Sequence, residues 1–189
     1  MRTAVFAILI SLTVTYVSGQ DKDLTVKNIE LKTRSIDTDS SYKIIILYNE
    51  AFLDTGFINQ PAKGYGQLTA YLKNGNIYKI REIIGLKLLS DIATTDYYFS
   101  DGKLIFVYES EIYNPDAFID NEGTVDKRKP GPDFEGKYYF SNNKVIFTTT
   151  NGQQQLLPNE MFFDSQSKEG QLLYSAQKYL DLLSEKNKQ

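Results

Sequence analysis

Apolar and polar residues alternate with period two through the middle of the chain, and three times the alternation is interrupted by a turn-forming dipeptide. Leu68 to Leu72 and Ile77 to Ile80 flank Asn74-Gly75; Tyr97 to Phe99 and Leu104 to Tyr108 flank Asp101-Gly102; Tyr138 to Phe140 and Val145 to Phe147 flank Asn142-Asn143. Asn, Asp and Gly tolerate the positive φ that a two-residue hairpin turn demands, so each segment reads as a β-hairpin. The second and third copies match almost residue for residue, which makes this an internal repeat of a hairpin.

A two-residue turn sets the pairing of its strands, and a one-residue slip would exchange the two faces. Regular pairing puts Phe99 opposite Leu104 and Tyr97 opposite Phe106 on one side, with Tyr98 opposite Ile105 on the other. Extended to all copies, the expected core face holds Leu72, Ile77, Tyr97, Phe99, Leu104, Phe106, Tyr138, Phe140, Val145 and Phe147. The opposite face holds Tyr71, Tyr78, Tyr98 and Tyr139 beside Thr69, Ser100 and Lys103. Tyrosine joins a large apolar ring to a hydroxyl that seeks a partner, so these four tyrosines are the candidate binding residues.

Helical spacing occurs at both ends of the repeat region. Val26, Ile29, Thr33 and Ile36 recur at three and four residues, although Leu24, Val26, Ile29 and Leu31 also alternate in strand fashion. Near the C-terminus Leu172, Leu173, Ala176, Leu180 and Leu183 form one stripe, with Lys168, Glu169, Lys178, Asp181 and Glu185 away from it and Asp164 or Ser165 as the cap. Tyr42 to Tyr48 is rich in β-branched residues and reads as a strand, while residues 56–66 and 114–133, with their prolines and glycines, read as loops. The fold class implied is α+β: an antiparallel meander of repeated hairpins with an N-terminal and a C-terminal helix packed on it.

The first residues have a different character. Arg2 precedes an apolar run from Ala4 to Val17, and Val17-Ser18-Gly19 offers small residues before the polar Gln20-Asp21-Lys22-Asp23. This is the layout of a secretory signal over residues 1–19, cleaved near Gly19, and it leaves residues 20–189 as a single β-rich domain. The run is short and interrupted by Ser11, Thr13 and Thr15, so no stable membrane insertion is expected after cleavage. The chain has no cysteine, hence no disulfide framework, and no Asn-x-Ser/Thr sequon, which points to a bacterial periplasm or exterior. Loss of Arg2 takes 21 basic residues to 20 against 24 acidic ones, a net charge of −4 that argues against nucleic acid as partner.

Candidate chemistry is sparse. With no histidine and no cysteine, Ser-His-Asp and Cys-His catalysis and ordinary zinc sites are excluded, and no phosphate-cradling glycine motif is present. Aligning Gly123 with the turn position of an EF-hand puts Phe118 at the first ligand and Lys129 at the last, so that pattern fails. The carboxylates Glu109, Glu111, Asp116, Asp120 and Glu122 gather where a strand meets the 114–133 loop. Two of them could act as the acid and base of a glycosidase, but acids at strand ends are ordinarily solvated. No catalytic residue, metal ligand or cofactor is therefore expected.

The stretch from Tyr97 to Glu109, with Gly66 to Tyr71 and Lys79-Ile80 before it, resembles a group of small exported bacterial proteins described only as hypothetical, over residues 64–150. The hairpins also resemble, with less glycine, the modules called MORN repeats. Neither resemblance implies an activity or a site. The expectation is an exported binding or interaction module of the bacterial envelope, whose partner is a protein, peptide or glycan. The alternative is a carboxylate-based hydrolase acting on an envelope polysaccharide.

Overall fold

The structure, a computed structural model, describes residues 21–54, 62–86, 91–112, 132–154 and 167–186. The chain divides into two compact units, Met1–Asp39 and Ser40–Gln189. In the first, residues 21–38 form a helix, α1, which settles the ambiguous periodicity in favour of the 3.6-residue repeat. Ile29, Thr33 and Ile36 are its buried positions, while Leu24 and Leu31, two of the four residues that suggested a strand, are exposed.

The second unit is a seven-stranded antiparallel meander in which every strand pairs with its neighbours in sequence. Its strands are β1 (Lys43–Asp54), β2 (Ala62–Lys73), β3 (Asn76–Leu86), β4 (Asp91–Ser100), β5 (Lys103–Ile112), β6 (Phe134–Ser141) and β7 (Lys144–Gly152). The helix α2 (Lys168–Lys186) follows. All three dipeptides are hairpin turns with both central residues at positive φ: Asn74 and Gly75 at 52° and 79°, Asp101 and Gly102 at 53° and 72°, Asn142 and Asn143 at 51° and 58°. Residues 62–66, expected in a loop, belong to β2, because β1 pairs with all of them and β3 with residues 64–66.

Pairing beyond each turn departs from the regular scheme. Phe99 does face Leu104, but the register then shifts, so that Tyr98 pairs with Phe106 and Tyr97 with Val107. The same bulge recurs in the other copies, where Leu72 pairs with Ile77 but Tyr71 with Lys79, and Phe140 with Val145 but Tyr139 with Phe147. One extra residue, Tyr78, Ile105 or Ile146, is accommodated in the second strand of every hairpin. The consequence corrects the facial assignment. Phe106 and Phe147 leave the expected core face for the tyrosine face, and Lys79 takes the place there that Tyr78 was expected to hold.

The core lies on the other face, under α2. Leu47, Leu68, Ala70, Leu72, Ile80, Tyr97, Phe99, Leu104, Val107, Tyr138 and Phe140 pack there against Leu172, Ala176, Tyr179 and Leu183 of the helix. The helix stripe is as expected, but its cap is Ser167, whose Oγ accepts from the Gly170 N–H at 3.2 Å; Asp164 and Ser165 lie outside the described residues. In the first turn, Glu169 Oε2 accepts the Val145 backbone N–H at 3.0 Å and ties α2 to β7. At its far side Tyr179 donates to Glu82 of β3 and sets its ring edge-on to Tyr97 of β4, 5.5 Å away, so α2 crosses the strands.

Candidate functional site

The three bulges bring one residue from every strand into a single row on the face away from α2. In order across the sheet these are Ile44, Tyr71, Lys79, Tyr98, Phe106, Tyr139 and Phe147, each directly paired with the next. The rings touch continuously from β4 to β7: Tyr98 to Phe106 at 5.5 Å, Phe106 to Tyr139 at 4.9 Å and Tyr139 to Phe147 at 5.6 Å between centroids. Tilted contacts at these distances are the favourable arrangement for aromatic quadrupoles, and directly opposed cross-strand partners provide it repeatedly.

A charge cluster interrupts the aromatic row at β3. Lys79 Nζ donates to Tyr98 Oη at 2.8 Å and lies 4.6 Å from the centre of that ring. It also stands 2.9 Å from Asp96 Oδ2. Arg81, one step along the same face, grips Asp96 with two parallel bonds of 2.7 Å from Nε and Nη2. Lys79 and Asp96 side chains are 6% and 4% exposed, so these charges are neutralised by one another rather than by water. The bond to Asp96 holds the Arg81 guanidinium firmly in its charged form, well above its ordinary range. Next in the row below, Tyr108 donates to Glu135 Oε1 at 2.6 Å, and burial together with that bond pushes its pKa up to about 12.

The four candidate tyrosines thus divide. Tyr71 and Tyr78 are partly exposed, whereas Tyr98 and Tyr139 are each 3% exposed. Tyr71, Tyr98 and Tyr139 share the row; Tyr78, as the bulge residue, instead meets Tyr42 with centroids 5.3 Å apart, beside Lys73. Exposed large apolar residues mark the margins. Among the described residues of the sheet they are Ile44, Ile46, Ile92, Ile112 and Phe147, and strand alternation puts all five on this same face.

The carboxylates have a different fate from the one expected. Glu109 and Glu111 are not solvated: they are 2% and 1% exposed, on the α2 side of β5. Lys168 of α2 donates to Glu109 Oε1 at 2.8 Å. Tyr138 lies over Gly136, where a Cβ would come within 2.8 Å of the tyrosine ring and hydroxyl, so only glycine leaves the ring room there. Burial and the neighbouring Glu109 and Glu111 charges raise the Tyr138 pKa, keeping the phenol protonated. Asp116, Asp120 and Glu122 lie outside the described residues, as does most of the 114–133 loop. Sequence reasoning missed Lys79, Arg81 and Asp96, because it had placed Tyr78 where Lys79 stands.

Fold and site together define an open antiparallel meander with one helix on its core face and an aromatic, ion-paired row on the other. No protein-family model matches the chain, and no curated protein or solved structure matches it either. Among the described residues no group of acidic side chains could hold a metal ion, and no helix is long and apolar enough to cross a membrane.

Proposed function

We propose that this chain is an exported, non-catalytic binding module of the bacterial envelope, periplasmic or secreted, which holds a protein or peptide on its tyrosine face. One observation carries the reading: a row drawn from all seven strands, rigidly ion-paired at its centre, with exposed apolar side chains gathered along its margins. Exposed apolar groups collected on one face mark interaction surfaces more often than isolated ones do. Isoleucines offer nothing to sugar hydroxyls, which favours a polypeptide over a glycan. The partner would meet Ile44, Tyr71, Tyr78 and Phe147, while Tyr98 and Tyr139 hold the platform in shape.

The test is capture from a native envelope fraction on the immobilised chain, compared with Ile44→Asp and Phe147→Asp variants. A partner retained by the parent and lost at least ten-fold by both variants supports the reading; retention that ignores both substitutions ends it.

A second reading rests on Glu109 and Glu111. Two residues apart on one strand, they share a face, with a backbone spacing of about 6.6 Å from the strand rise, and a glycosidase needs two carboxyl groups on one side of its cleft. A hydrolase of this kind would release reducing ends from envelope polysaccharide and lose that activity in Glu111→Gln. The Lys168 bond to Glu109 and the helix-side burial favour a structural role for the pair, so binding is the leading proposal.

A further inference from the structure

Among the described residues the sheet ends at β7, and that edge is built unlike a protected one. Edge strands ordinarily carry charges, prolines or late bulges that discourage pairing with another chain. From Val145 to Gly152 the sequence Val-Ile-Phe-Thr-Thr-Thr-Asn-Gly contains no Pro, Lys, Arg, Asp or Glu. Its bulge falls beside the turn, at Ile146, and beyond it Phe147 to Gly152 pair regularly with β6. Every residue from Phe147 to Gly152 is exposed, on both faces of the strand.

The backbone of this edge alternates in the usual antiparallel manner. Ser141 and Lys144 close the turn as a bonded pair, so Val145 turns its N–H outward, and Glu169 of α2 takes that donor. Past the bulge the outward-facing residues are Thr148, Thr150 and Gly152. The donor nearest the turn is therefore capped by the protein's own helix, while the threonine segment presents its outward backbone groups at an exposed edge.

We propose that β7 pairs antiparallel with β7 of a second copy of this chain, about a two-fold axis at Thr149, to form one continuous sheet. The strand suits itself as a partner. In this register Thr148 bonds with Thr150 of the second copy and Thr150 with its Thr148, and cross-strand threonine pairs are favourable. The two Lys144 residues lie at opposite ends of the paired segment, so no like charges meet. A two-fold pairing is also closed, which spares the chain the open-ended growth that head-to-tail edge pairing would bring. The paired segment is short, so the association is weak and the test must trap it.

The absence of cysteine makes trapping clean. At the axis the two Thr149 residues form a non-hydrogen-bonded pair, whose Cβ atoms approach to about 4.5–5.5 Å, close enough for a disulfide after a small adjustment. Thr149→Cys under mild oxidant is expected to give a covalent dimer at least ten-fold faster than Lys178→Cys, an exposed control on α2. In the Thr149→Cys background, Thr150→Pro removes an outward N–H that β6 does not use, and is expected to return cross-linking to the control rate. Thr148→Asp with Thr150→Asp serves as a second disruption, because it sets like charges face to face on exposed positions without touching the ladder. Equal rates for Thr149→Cys and Lys178→Cys overturn the proposal. So does fast cross-linking that survives both disruptions, or a β7 cross-link found only to a different protein.

Discussion

Asp96 is the residue on which the tyrosine face turns. Its carboxylate bridges Lys79 and Arg81, and both it and Lys79 are withdrawn from water. Removing one partner from a buried ion pair leaves the other charge uncompensated, which costs far more than the pair contributes. Asp96→Asn is therefore expected to destabilise the protein by about 3 kcal/mol, measured by urea unfolding, whereas Lys79→Met, which leaves Asp96 its two bonds from Arg81, should cost distinctly less. The tyrosines make a separate prediction in alkali. Tyr108 has its pKa raised from 10.0 to about 12, by burial first and the Glu135 bond second, and Tyr138 is raised further by burial and Glu109. A raised pKa means the folded state holds its proton longer than the unfolded one, so this stabilisation is complete below pH 10 and is lost as pH climbs through about 12. Unfolding followed by circular dichroism should show stability falling across that window, with a shallower fall in Tyr108→Phe. None of these polar partners could be read in advance. Glu109 and Glu111 have the look of solvated strand-end acids, and only the strand pairing and Lys168 of a helix 59 residues away explain why they are buried.

At the scale of the element, the hairpins were plainly legible and their faces only half so. Asn-Gly, Asp-Gly and Asn-Asn state the turn, and the first pair beyond each turn, such as Phe99 with Leu104, follows from it. The bulge is written less openly. Ile77 and Ile80 both reach the core, as do Leu104 and Val107, although a regular strand sends residues three apart to opposite faces. That spacing was the available signal, and it was masked in β5 because Leu104, Ile105, Phe106 and Val107 are all apolar. Deletion of Ile105 tests the account. It removes the extra residue while leaving Phe99 opposite Leu104 and Tyr98 opposite Phe106, so the variant should fold with the same faces and keep proton contacts between the Tyr98 and Phe106 rings. Loss of those contacts, with Phe106 turned into the core, would mean that the bulge does not set the faces. The glycine-containing start of β2 misled in a simpler way: residues 62–66 have loop composition but pair with β1 throughout and with β3 from Gly64 onward, and tertiary pairing overrides composition.

For the whole molecule, the asymmetry of the sheet decides what each part can do. One face is closed by α2, and the largest fully buried side chains, among them Phe99, Phe140, Leu68 and Ile80, are concentrated there. The other face is organised by cross-strand contacts between side chains of neighbouring strands, and its margins remain exposed. The meander therefore depends on its helix. Removing residues 168–189 uncovers the surface that Leu172, Ala176, Tyr179 and Leu183 occupy, and each large apolar side chain so exposed forfeits about 1.5–3 kcal/mol of burial. The same cut removes Glu169 from the Val145 N–H and Lys168 from Glu109, leaving an edge donor uncapped and a carboxylate without its cation. Lost burial of several side chains on both the helix and the sheet approaches the whole stability of an ordinary domain. The truncated chain is therefore expected to elute as aggregate, bind a hydrophobic dye and lack a cooperative thermal transition. A truncated chain that stays monomeric and melts cooperatively would show instead that the tyrosine row alone can hold the seven strands together.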